Sequence, residues 1–289
     1  NEYYAVVSKL ESIAPEQMSA TDRAVLCNAL RTIVSQHRSH ASAAWALTET
    51  EVNRLAAALG RLEPQEGSLR FLWLFSNRPA MPEGRDHDWE EYERAVAERQ
   101  QQAVETLQAQ EGLSWLAEFL QKCECPGAVG AALARSRCVD LAEGEVLREY
   151  LQPAHRQFRE FLGGFIGQKV QAVGMQWAEQ KLKGMSQAWS PADRAFFCAC
   201  LPFESSIWEL VQTLDDASVS EYWKTVPLGY VRRGDVELAA RRLLGHGRPS
   251  AAAALLELHL TKARPSAELV TEVLEGLAGG IGDGVEDRP

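Results

Sequence analysis

The sequence predicts an all-α fold of stacked, right-handed helical hairpins with no sheet, and three observations carry that expectation. Ala, Leu, Glu, Gln and Arg outweigh Val, Ile and Thr, a composition that favours helix over strand. Apolar residues recur at three- and four-residue spacings over most segments, as one face of a helix requires. The segment 234–260, GDVELAARRLLGHGRPSAAAALLELHL, reads as two amphipathic helices hinged at His246-Gly247-Arg248-Pro249, and less regular units of the same kind recur from residue 21 onward.

Taken in chain order, residues 2–13 place Tyr3, Val6, Val7, Leu10 and Ile13 on one helix face, which stops near Pro15. Thr21 is the expected cap of a second helix, with Ala24, Val25, Leu26, Ala29, Leu30, Ile33 and Val34 as its buried stripe. Thr48-Glu49-Thr50-Glu51 is a capping box, and Val52, Leu55, Leu59 and Leu62 face inward behind it. Residues 69–75, LRFLWLF, are apolar on nearly every side and take the helical state of their neighbours. Residues 76–87, with Pro79, Pro82 and Gly84, form the clearest loop.

Asp88 starts a long polar helix through residue 110 whose inward face is sparse: Trp89, Tyr92, Val96, Val104 and Leu107. Such a helix is expected to lie outside the stack or to meet a partner, with Trp89 and Tyr92 exposed. Short helices over 113–120, 128–134 and 145–151 follow. Residues 156–183 then read as one long helix, in which Gly163, Gly164 and Gly167 cost about 1 kcal/mol each relative to alanine, offset by close approach of another helix. Ser190-Pro191 opens the next helix, and segments 203–214, 218–226, 235–244, 249–262 and 266–277 complete a series of about a dozen.

A change of pattern at Pro153 divides the chain into an N-terminal helical subdomain (1–152), a C-terminal helical-repeat subdomain (153–278) and a disordered tail (279–289). In layout, the last hairpins resemble the tetratricopeptide and HEAT-type repeat classes. The stretch from Ser190 onward is similar to helical-repeat regions of large multidomain bacterial proteins. It lacks the Trp-Leu-Gly-Tyr pattern of true tetratricopeptide units. The resemblance implies an α-solenoid that binds protein and carries over no individual functional residue.

Composition narrows the function classes. A net charge of −10 opposes a broad nucleic-acid surface, which needs clustered Lys and Arg. Six cysteines without a disulfide-framework spacing fit a reducing, cytoplasmic compartment. Apolar runs such as 195–203 fall far short of the ~20 residues that span a bilayer, so no membrane partner is expected. The start at Asn1 and the polar end GGIGDGVEDRP read as an excerpt of a longer chain, whose activity then lies elsewhere.

Each constellation that suggests chemistry has a plainer structural account. Cys123-x-Cys125, with Cys138 and His155, leaves one residue in the pair where structural zinc sites leave two to four. Cys198 and Cys200 sit in an apolar run and read as core. His37 and His40 close a helix, where the dipole favours them. Asp86-His87-Asp88 with Glu90, Glu91 and Glu93 is the densest acidic cluster; a helix start accounts for it without a metal, although a loop of this kind is the first place to look for an active site. The segment 163–169, GGFIGQK, looks like a phosphate loop, but Val170 replaces the Ser or Thr that would reach magnesium and no strand precedes it. No G-x-S-x-G elbow occurs either.

No catalytic residue, cofactor or metal ligand is therefore assigned. Trp89, Tyr92 and the basic pairs Arg232-Arg233 and Arg241-Arg242 are the candidate protein-binding residues. The expected function is a non-catalytic helical-repeat scaffold whose partner is another protein or another domain of the same longer chain. The alternatives are a sensor or regulatory region of a large bacterial signalling or defence ATPase and, third, a metal-dependent enzyme using the acidic segment 86–93.

Overall fold

The computed structural model describes residues 2–84, 88–151, 156–185, 188–229, 231–259 and 265–279. Among these residues every regular element is helical: sixteen α-helices and three short 3-10 turns, with no strand. The expected dozen is exceeded, in part because a segment read as one helix divides. The chain forms two compact units, Asn1–Glu145 and Val146–Pro289. The boundary expected at Pro153 lies outside the described residues, as does the tail over 280–289.

In the first unit, α1 (Glu2–Ser12), α2 (Ala20–Ser39) and α3 (Glu49–Leu62) enclose one core of Val7, Leu10, Cys27, Leu30, Val34, Val52, Leu55, Leu59 and Leu62. Ser19 caps α2, its Oγ accepting from Asp22 N at 3.1 Å, and Thr21 lies inside the first turn. Of the stripe expected on α2, Val25, Ala29 and Ile33 face solvent, because α3 and α4 cover only the side carrying Cys27, Leu30 and Val34. The capping box at Thr48 forms in both directions, and all four inward residues predicted behind it are buried. The LRFLWLF run becomes α4 (Gly67–Phe71) followed by a 3-10 turn, Leu72–Phe75.

Next come α5 (Trp89–Glu111), α6 (Leu116–Lys122), α7 (Pro126–Arg135) and α8 (Val139–Tyr150). Contrary to expectation, α5 is not peripheral to its unit. It packs on α7 and on the 3-10 turn, and buries Tyr92, Val96, Gln100, Ala103, Val104 and Leu107. Gln100 and Ala103 widen the inward face read from the sequence, and apolar periodicity passes over the polar amide. Tyr92 Oη donates to the carbonyl of Pro79 at 2.7 Å, and Gln100 Nε2 donates to that of Leu74 at 2.8 Å. A buried carbonyl left without a donor would cost about 1–3 kcal/mol.

The second unit corrects the long helix expected over 156–183. It is two helices, α9 (Arg156–Val173) and α10 (Met175–Met185), broken at Gly174. Gly174 takes φ +94°, a conformation that L side chains resist, and its N–H closes α9 on the carbonyl of Val170 at 2.8 Å. Two of the three glycines inside α9 are not packing sites: a Cβ added at Gly163 or Gly167 would meet nothing within 4 Å.

After these come α11 (Pro191–Ala199), α12 (Ser205–Gln212), α13 (Asp216–Thr225), α14 (Val236–Gly245), α15 (Pro249–His259) and α16 (Ala267–Ala278). Ser190 and Asp193 cap α11 reciprocally; α11 packs on α13, while α14, α15 and α16 pack on one another. The His246-Gly247-Arg248-Pro249 hinge forms as expected, with Gly247 at φ +76°. Its arginine does more than turn the chain. Buried Arg248 donates from Nη1 to the carbonyl of Val226 at 2.7 Å and to that of Trp223 at 3.4 Å, satisfying the end of α13. The His246 ring stacks on Trp223 with centroids 6.2 Å apart.

Candidate functional site

The structure separates the two aromatics expected on the surface. Trp89 is 54% exposed, whereas Tyr92 is 8% exposed, with Met81 and Val96 in its cluster and its hydroxyl bonded to the loop. Tyr92 is thus a core residue, and only its neighbour is open to a partner. The cause is helix phase: Trp89 lies at the first turn, where the polypeptide covers one side alone, and its ring lies beside that of Tyr92 at 5.4 Å.

The basic pairs also divide. Arg232 and Arg233 are exposed, and Arg232 reaches Glu204 only at 4.0 Å. Arg241 instead clips α14 to α16: its Nη1 donates to both carboxylate oxygens of Glu272 at 2.8 and 2.7 Å, with Glu268 at 3.6 Å. That guanidinium serves the hairpin stack. Arg242 is half-buried, and its carbonyl lies 2.8 Å from His246 Nδ1.

The residues that suggested chemistry are occupied with structure. Asp88 Oδ1 accepts from the amides of Glu90 and Glu91 at 2.9 and 3.3 Å and so caps α5; Asp86 and His87 lie outside the described residues. His155 lies outside them too, Cys123 is buried, and Cys138 Sγ sits 3.2 Å from Ser136 Oγ. Burial pushes the Cys198 and Cys200 thiols up to about 12, the inert direction for a nucleophile. His37 Nδ1 accepts the Leu47 N–H at 3.1 Å, and both His37 and His40 pack on the ring of Trp45, at 5.3 and 5.6 Å. Among the described residues no three His, Cys, Asp or Glu side chains converge on a point where a metal ion would sit. No described helix is long and apolar enough to cross a membrane.

The surface with most to offer a partner was not singled out from the sequence. On α16, Leu269 and Val273 are buried, and a Cβ at Gly276 would come within 3.0 Å of Pro249 Cβ, so the helix lies hard against the start of α15. Beside this face runs a second apolar row: half-buried Val270, then Leu274, 59% exposed, and Leu277, 41% exposed. The spacing i, i+4, i+7 makes one stripe. The apolar arc of α16 is therefore wider than the face that α14 and α15 cover. The signal was present in the sequence as the adjacent pairs Leu269-Val270 and Val273-Leu274, which a helix with one buried face does not need. Comparisons with protein-family models, with curated proteins and with solved structures find no match to this chain.

Proposed function

We propose that this chain is a non-catalytic helical scaffold that binds a protein, or another domain of a longer chain, on faces built from successive helices stacked as in an α-solenoid. The uncovered row Val270, Leu274 and Leu277 on α16 carries this proposal. Burying one leucine side chain is worth about 1.5–3 kcal/mol, so a helix that leaves two largely exposed gains substantially from an apolar partner surface. A row spaced by three and four residues is a ridge that another helix receives in its groove, which fits a helical neighbour.

Affinity capture from a lysate of the source organism, comparing the wild type with L274E/L277E, tests the proposal. The wild type is expected to retain one dominant protein through a high-salt wash, since apolar contacts resist screening. The double variant, with an unchanged circular dichroism spectrum, is expected to lose it. Equal recovery by both, or recovery that salt abolishes, would contradict the proposal.

A further inference from the structure

The first unit holds a polar cleft that plays no part in the scaffold proposal. It lies between the second half of α2 and the segment 76–80. Two adjoining cavities of about 280 and 220 Å³ share Thr32, Arg78 and Ala80 and so form one trough. Small-molecule sites occupy roughly 300–1,000 Å³, a range this trough reaches. Among the described residues no Asp or Glu lines either cavity, in a chain with 40 acidic and 30 basic residues.

The charge at its walls is positive. Arg31 stacks on Trp73 at 4.4 Å and bonds to Glu63 at 2.6 Å, but Glu63 also faces Arg70 at 3.5 Å, so one carboxylate serves two guanidiniums. Arg78 adds a further cation, exposed and without a hydrogen bond or ion pair to any described residue. The backbone that presents Arg78 is held firmly. The Pro79 carbonyl takes the Tyr92 hydroxyl, and the Pro82 carbonyl takes Arg38 Nη1 at 2.5 Å. Gly84, at φ +93°, lies so close to α2 that a Cβ there would come within 3.0 Å of Arg38 Cβ. A loop ordered in advance spares a ligand that entropic cost.

Across from Arg78, α2 offers two donors. Ser35 is 6% exposed, lines the cleft, and its hydroxyl has no hydrogen bond to a described residue. The Gln36 side-chain amide follows it, likewise lining the cleft without such a bond. The Ser35 hydroxyl opens on the cleft, where an acceptor can take its hydrogen bond.

We propose that this cleft binds a small polar molecule through a phosphomonoester group, seated between Arg78 and Ser35 with Gln36 as a further donor. The guanidinium fork pairs with two phosphate oxygens, leaving the third for the hydroxyl and the amide; a carboxylate has only two oxygens for the same donors. The negative end of the α2 dipole opposes an anion only within the last turn. Ser35 lies a full turn before Ser39, the final residue of α2; Gln36, Ser39 and His40, which also line the cleft, belong to that end, so the Arg78 charge must outweigh it.

Titration of the full chain with glucose 6-phosphate and with inorganic phosphate, followed by amide NMR, tests this site. Glucose and sodium chloride at matched ionic strength are the controls. Both phosphate compounds are expected to give saturable shifts at Ser35, Gln36 and Arg78, and the controls none. Arg78→Met should weaken binding about tenfold, the scale of a lost charge-assisted pair, with the thermal midpoint unchanged, and Ser35→Ala should weaken it by a smaller factor. Absence of saturation with both phosphate compounds, equal shifts with chloride, or affinity unmoved by Arg78→Met would each overturn the proposal.

Discussion

The hairpin of α14 and α15 and the segment from Leu74 to Gln100 solve one problem in different ways. Each must hold a non-helical turn against a helix. In the hairpin the turn is short and closes through its own amides, Gly247 N–H on the carbonyl of Leu244 at 3.0 Å and Arg248 N–H on that of Leu243 at 2.9 Å, while the Arg248 side chain is left to reach the end of α13. In the earlier segment the loop is long and its carbonyls are met from outside, by Tyr92 and Gln100 of α5 and by Arg38 of α2. Turns that close on themselves leave a local signature in the sequence. Loops that borrow donors from distant helices leave only polar residues where apolar ones were expected.

The largest way to break this comparison is Tyr92→Ala, expected to cost about 3–4 kcal/mol from the emptied volume and the orphaned Pro79 carbonyl, as read by denaturant unfolding. Tyr92→Phe, which removes only the hydroxyl, should cost about 1 kcal/mol. Were Tyr92→Ala neutral, the loop would not depend on α5. Arg248→Met comes next, at about 3 kcal/mol, because it strips a charged donor from the buried carbonyls of Val226 and Trp223. A loss below about 1 kcal/mol would mean that the hinge holds without it.

Two glycine variants sharpen the contrast at the level of backbone. Gly174→Ala forces a side chain into a left-handed conformation and should cost about 1–2 kcal/mol, whereas Gly163→Ala, inside α9 with open space around it, should gain up to about 1 kcal/mol. Thermal melts of both variants side by side would show opposite shifts, and shifts of the same sign would contradict the break at Gly174. The smallest effect is expected at Trp89→Ala, within about 0.5 kcal/mol of the wild type, since that ring is mostly in solvent.

The all-helical character, the capping box at Thr48, the helix starts at Asp88 and Ser190 and the hinge at Gly247 were legible, because each rests on contacts within a few residues. The break at Gly174 was not. One glycine among several in an apolar-periodic run gives no sign of which will leave the helical conformation, and it was the well-packed neighbours of Gly163 and Gly167 that sequence reasoning wrongly supplied. Tyr92 was read on the inward face of its helix and yet expected exposed, because that face looked sparse; the carbonyl that holds its hydroxyl lies in a loop, and carbonyls have no sequence signature. Arg241 looked like an open cation because Glu272, which holds it, stands 31 positions away. The row on α16 was visible as an excess of apolar positions, yet the covered share of that arc is a matter of tertiary packing alone.

The most direct test of the scaffold proposal is photo-crosslinking in cells of the source organism, with a light-activated residue placed at Leu274 or, as a control, at exposed Glu268, on the opposite side of α16 from the row. The proposal predicts one discrete protein adduct, or a crosslink to another part of a longer chain, from position 274 and none from position 268. Equal adducts from both positions, or none from 274, would contradict a partner seated on the apolar row.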